Sequence, residues 1–111
     1  MTNIPAHEIG SGNVFADLGL PDAQELLLKS EIVAELARLL KSKKLSQAKA
    51  AALVGVAQPD LSNLLGGKLR GFSVERLLHM LAALGRDVEI VVKPAKRSKE
   101  QGGIRFRRAA A

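Results

Sequence analysis

Amide, hydroxyl, carboxylate and cationic side chains are interspersed with leucines and small residues over residues 45–70 of this chain. Side chains of these types can recognise duplex DNA, since Gln pairs with adenine, Asp accepts a hydrogen bond from cytosine, and Lys and Arg neutralise phosphates. The candidate binding residues, with the proline that lies among them, are Gln47, Gln58, Pro59, Asp60, Ser62, Asn63, Lys68 and Arg70.

Two short helices with a tight turn between them are predicted to position these side chains. Ser46 can N-cap a helix that begins at Gln47, and Gly55 can end that helix because it tolerates a positive φ. Ala51 is small where two helices must cross closely. The spacing therefore predicts a helix-turn-helix motif over residues 45–68.

The second helix of the motif is predicted to begin near Gln58 with its polar side chains exposed. Ala57 cannot cap it with a side chain, but Pro59 suits a first helical turn because its missing N–H would have had no partner there. The apolar residues that would hold the pair together are Leu53, Val54, Val56, Leu61, Leu64 and Leu65. The second helix is therefore predicted to read DNA.

This stretch resembles the helix-turn-helix of the Cro-type phage-repressor (XRE) family. The matching residues are Leu45, Ser46, Gln47, Ala51, Gly55, Val56, Leu61, Ser62, Gly67 and Lys68. The resemblance implies that Gln47 and Gln58 both meet DNA, one at a phosphate and the other at a base edge. We expect Asn63 to contact the groove or a phosphate, and Lys68 and Arg70 to contact phosphates. Asp60 could accept from cytosine or simply offset the helix dipole.

The flanking sequence predicts a mainly α-helical domain of four to five helices with one C-terminal strand. Asp22 and Glu25 resemble a capping box at the start of a long first helix that ends near Lys43. Ser73 is expected to cap a last helix that Gly85 ends. The three segments of the chain are an irregular arm over residues 1–20, the domain over residues 21–93, and a basic flexible tail over residues 94–111.

Residues 87–93 carry the strand signal, because Val88, Ile90 and Val92 alternate with other residues. A lone strand needs a partner for its backbone groups, and the chain offers only residues 13–16 as a weak candidate. We therefore expect these three residues to pair with a second copy of the chain or with a partner's sheet edge. A two-fold homodimer would suit a palindromic operator.

Charge is distributed unevenly around a net value of +6. Residues 1–35 carry six acids against one base, residues 41–70 carry six bases against one acid, and residues 93–111 carry seven bases against one acid. A basic block that coincides with the motif favours phosphate binding. The tail composition predicts mobility in the free protein, with Ile104 and Phe106 as apolar exceptions that could follow DNA, add to a partner's surface, or be a terminal remnant.

Several classes of function are excluded by composition and spacing. The chain has no Cys and two His, without the spacing of a catalytic triad or a metal site, and Gly66-Gly67 lacks the context of a P-loop. We expect no enzyme activity, cofactor or metal. The lack of an export signal or an apolar run of about 18 residues predicts a cytoplasmic protein without a membrane span.

The flanks of the motif also resemble the HigA-type antitoxin branch of the family, from NVFADLG near residue 13 to DVEI near residue 87. This resemblance implies a RelE/HigB-like toxin as partner and repression of the pair's own operon. Phe15 and Leu18, in the acidic arm, are the candidate toxin contacts. The alternatives are a stand-alone phage-type regulator and a scaffold that binds protein or RNA.

Overall fold

The computed structural model describes residues 13–96 and 102–109. These residues contain five helices, which are α1 (Val14–Asp17), α2 (Ala23–Ser42), α3 (Gln47–Val54), α4 (Gln58–Leu65) and α5 (Val74–Ala83). The prediction of a mainly helical domain with four to five helices is confirmed.

The long helix α2 forms the centre of the domain. Its fully buried Ile32 and Leu36 join Leu61 and Leu64 of α4 and Leu77 of α5 in one apolar cluster. Burial of one such side chain contributes about 1.5–3 kcal/mol. The core therefore fixes α4 and α5 against α2 and leaves their opposite faces in solvent.

A short helix, α1, stands where an irregular arm was expected. Asn13 is buried and caps this helix, since its Oδ1 accepts from the backbone N–H groups of Phe15 and Ala16 at 2.9 and 3.2 Å. Its Nδ2 donates to the carbonyl of Ala23 at 3.2 Å. Asn13 thus fastens α1 to the start of α2. Residues 1–12 of the predicted arm lie outside the described residues.

The capping box predicted at the start of α2 is wrong. Asp22 occupies the N-cap position, but its side chain makes no capping hydrogen bond. Both carboxylate oxygens instead accept from Arg70, 48 residues away, at 2.9 Å each. Glu25 forms an ion pair with the buried Lys29 at 2.9 Å rather than closing a cap. A tertiary partner has replaced the local cap at Asp22, and a partner one turn further along α2 has replaced it at Glu25.

The strand predicted over residues 87–93 is not formed, and no strand occurs among residues 13–96 and 102–109. A strand exists only when its backbone groups pair with another strand, and the described part of the chain provides no such edge. Val88, Ile90 and Val92 are 39%, 81% and 92% exposed. The segment after α5 therefore exposes these three apolar side chains to solvent.

Residues 102–109 lie against their own domain. Phe106 is half-buried on the apolar core, and its backbone N–H interacts with the carboxylate of Glu31. Burial raises the pKa of Glu31, and that N–H partly opposes the rise. Arg108 approaches Glu35 at 3.9 Å, while Arg38 holds the same carboxylate at 2.7 Å. This contact of residues 102–109 with their own domain is not foreseen by the sequence. The mobility of the tail stays a prediction.

Phe106→Ala should lower the free energy of unfolding by about 1–2 kcal/mol, because a half-buried phenyl ring loses its packing against the core. Guanidinium denaturation followed by circular dichroism measures the change. Ile104→Ala is the matched control, since Ile104 is 76% exposed, and it should leave stability nearly unchanged. Equal stabilities of the two variants would show that Phe106 does not pack against the core in solution.

Candidate DNA-binding interface

Helix α3 begins and ends as its sequence predicts. The Oγ of Ser46 accepts from the backbone N–H of Lys49 at 3.1 Å, which caps the helix. Gly55 ends it in the left-handed conformation, with φ at 78°. Ala50 and Ala51 are 1% and 3% exposed, and their small size lets α3 and α4 approach closely. The two helices are thus held as a compact pair.

Helix α4 separates its residues sharply into two faces. Leu61 and Leu64 are buried in the core, whereas Gln58, Pro59, Asp60, Ser62 and Asn63 are all exposed. Ala57 supplies no side-chain cap, as expected, and a proline occupies the first turn. The exposed face therefore offers amide, carboxylate and hydroxyl groups, which are the groups that hydrogen-bond to base edges in the major groove.

Gln47 and Gln58 both occupy the first position of their helices. The side chains of both are exposed. Backbone N–H groups at a helix N-terminus are unpaired and carry partial positive charge, which favours contact with phosphate. This placement is compatible with the two DNA contacts expected of these glutamines.

The loop between α4 and α5 alternates between inward and outward side chains. Leu69 and Phe72 are 6% and 7% exposed and anchor the loop to the core. Lys68 precedes the first anchor, Arg70 lies between the two, and both are exposed. The backbone N–H of Lys68 donates to the carbonyl of Asn63 at 3.0 Å, which ties the loop to the end of α4.

Arg70 is held in a fixed direction by Asp22. The Nε and Nη2 of Arg70 donate to the two carboxylate oxygens of Asp22 at 2.9 Å each, and the Arg70 side chain is 62% exposed. The hydrogen bond from Arg70 lowers the pKa of Asp22. The predicted phosphate-binding arginine thus also joins the loop to the start of α2.

Arg76 is a cation that the sequence analysis missed. Its guanidinium carbon lies 4.7 Å from the centroid of the Phe72 ring, within cation–π distance. A depression of about 260 Å³ is lined by Asp60, Asn63, Lys68, Gly71, Phe72 and Arg76. The sequence indicates only that Arg76 lies in the first turn of α5. Its approach to α4 depends on how the loop between the two helices folds, which the sequence pattern does not predict.

The structure brings together part of the predicted set. Asp60, Asn63 and Lys68 share the depression beside α4, and Arg70 follows them on the same loop. Phe15 is half-buried against the core, while Leu18, at the C-cap of α1, is 70% exposed. Among the described residues there is no group of His, Cys, Asp or Glu side chains that could hold a metal ion. Within the same residues, no helix has the length and apolarity of a membrane span.

Comparison with known proteins agrees with this geometry. The profile of a family described as a helix-turn-helix domain matches residues 14–93. A solved structure assigned to the XRE family of transcriptional regulators is 44% identical, with a TM-score of 0.70. The match covers 82% of this chain and all of that chain. No curated protein matches significantly. This chain belongs to the XRE-type helix-turn-helix family of DNA-binding transcriptional regulators.

Proposed function

We propose that this protein is a sequence-specific repressor that reads double-stranded DNA with α4. The observation that supports this most directly is the separation of faces on that helix. Leu61 and Leu64 fix α4 to the core, and the first turn with Ser62 and Asn63 is left free for a major groove. The helix is thus both immobile and accessible, as a base-reading element must be.

Individual side chains take different parts in this proposal. Gln58 reaches a base edge, where a primary amide can pair in bidentate fashion with adenine. Gln47 contacts a phosphate at the start of α3. Asn63 contacts the groove or a phosphate beside it. Lys68 and Arg70 bind the backbone without regard to sequence, and so set position and affinity rather than specificity.

We further propose that the repressor is a homodimer that binds a palindromic operator. The uncovered residues Val88, Ile90 and Val92 support this, because three apolar side chains on an extended segment lose their contact with water when two copies pair. Each copy would supply the missing strand edge for the other. Two reading helices related by two-fold symmetry then face two half-sites.

A role as antitoxin to a RelE/HigB-like toxin is the finer part of the proposal. Val14 on α1 and Leu18, the C-cap residue that follows it, are one turn apart. They are 60% and 70% exposed and form a small apolar surface for a partner. The acidic residues in the first third of the chain support a toxin contact less strongly than their number suggests. Three of its acids, Asp22, Glu25 and Glu35, are paired with cations of the same chain.

Gln58→Ala should weaken binding to the operator by about 1–3 kcal/mol and relax discrimination at one base pair, because the variant loses the hydrogen bonds of the amide. Fluorescence anisotropy with the DNA upstream of the gene, and with the same fragment substituted base by base, measures both effects.

Lys68→Ala serves as the comparison for this variant. A phosphate contact is independent of sequence, so this substitution should weaken all duplexes alike and reduce the salt slope by about one. If Gln58→Ala weakened random DNA as much as operator DNA, the base-reading role would be refuted.

Ile90→Pro should convert dimers to monomers, because proline removes a backbone donor from any strand ladder. The Ile90 side chain is 81% exposed, so each monomer should keep its helical fold and its circular dichroism spectrum. Operator affinity should fall as the second half-site contact is lost. Light scattering measures the oligomeric state, and a dimer that persists in this variant would exclude pairing through residues 87–93.

Leu18→Asp should abolish neutralisation of the toxin encoded beside this gene, since a charge in the apolar surface of α1 opposes its burial by a partner. Leu53→Asp is the matched control, because Leu53 is a similarly exposed leucine on α3, at 56%, and should leave neutralisation intact. Growth on co-expression at equal abundance is the readout. Full neutralisation by Leu18→Asp would place the toxin contact elsewhere.

A further inference from the structure

Asp22 and Arg70 form a bidentate long-range pair in place of a helix cap. Asp at an N-cap position ordinarily accepts a hydrogen bond from the helix, and that bond stabilises the protein. Here the side chain makes no such bond, and both of its oxygens accept from Arg70. Most exposed ion pairs contribute little to stability, but a bidentate arginine–carboxylate pair is stronger and has a defined geometry. The pair therefore holds an exposed guanidinium in one direction.

The geometry points to Asp22 as the residue that positions Arg70 for a DNA phosphate. This assignment depends on the proposed DNA-binding function and gives it an additional determinant outside the helix-turn-helix motif. Asp22 touches no base in this role. It acts through the guanidinium that it holds.

The donor count of the guanidinium leaves room for a phosphate. Arg70 carries five N–H groups, and the Asp22 carboxylate takes two of them, one on Nε and one on Nη2. Three N–H groups remain available on a side chain that is 62% exposed. Because the guanidinium is planar and rigid, fixing one edge also fixes the direction of the other donors.

The position of the pair in the fold explains why such an anchor would be needed. Arg70 lies in a loop that contains Gly66, Gly67 and Gly71, and glycine increases backbone freedom. Leu69 and Phe72 anchor the loop backbone through their buried side chains. An unrestrained arginine side chain would still lose rotamer entropy on binding. Asp22 removes part of that loss in advance.

The direction in which Asp22→Asn changes DNA affinity distinguishes positioning of Arg70 from simple electrostatics. Removal of a negative charge near a DNA-binding surface should by itself strengthen binding to DNA. Positioning predicts weaker binding. Asparagine has one uncharged acceptor oxygen, so it cannot accept from both N–H groups as the carboxylate does, and Arg70 becomes mobile. We expect Asp22→Asn to weaken binding about three- to tenfold at ~0.1 M salt.

A double-mutant cycle on a labelled mixed-sequence duplex provides the test, since a phosphate contact is independent of sequence. Arg70→Ala should weaken binding about tenfold at ~0.1 M salt and reduce the salt slope by about one. Asp22→Asn should weaken binding only in the chain that keeps Arg70, and should weaken nothing in the Arg70→Ala background. Asp22→Glu, which retains the charge, should restore most of the affinity.

Each contrary result has a defined meaning. Equal or tighter binding by Asp22→Asn would show that Asp22 competes with phosphate for Arg70 and would overturn the assignment. A loss that persists in the Arg70→Ala background would also overturn it, since Asp22 would then act through the fold. Thermal unfolding of each variant identifies that case. Failure of the parent chain to bind any duplex would refute the DNA-binding function and this role with it.

Discussion

The left-handed backbone at Gly55 determines how the DNA-binding surface is built. Its φ of 78° turns the chain between α3 and α4. A Cβ atom placed there would meet no heavy atom within 4 Å. The requirement for glycine is therefore conformational rather than steric, and a side chain would cost about 1–2 kcal/mol. The sharp turn puts Leu61 and Leu64 into the core, and their burial leaves the polar face of α4 outside. Every proposed base contact depends on that orientation.

The predictions that held were those in which the determining partners lie within a few residues. Ser46 and Ser73 cap their helices through backbone N–H groups three residues ahead. Gly55 ends α3 because of its own backbone preference. The α-helical spacing of leucines likewise defined which faces are buried. In each case the controlling interaction is local, so a single sequence contains it.

The predictions that failed were decided by groups far apart in the chain. Asp22 matched a capping pattern, but a guanidinium 48 residues away is the better partner for a carboxylate. Residues 87–93 have the alternation of a strand, but pairing needs two segments, and no second one is present among the residues that the structure describes. A further long-range contact was not predicted at all, since Phe106 is half-buried against the core although Arg105 and Arg107 flank it. Position along the chain does not reveal such contacts.

The candidate site shows the same division between what was predictable and what was not. Lys68 and Arg70 were recognisable as cations beside a reading helix, but their outward direction follows from the burial of Leu69 and Phe72. Arg76 joins this edge only because the loop folds back and presents the Phe72 ring to it at 4.7 Å. Charge counts alone also misjudged the first third of the chain, where Asp22, Glu25 and Glu35 are paired with cations of the same chain. One of these pairs holds Arg70, in the loop after α4, exposed and fixed in position. Fixed, solvent-facing cations bind phosphate with less loss of entropy than mobile ones, so the arrangement of this loop matters more to DNA binding than the net charge of +6.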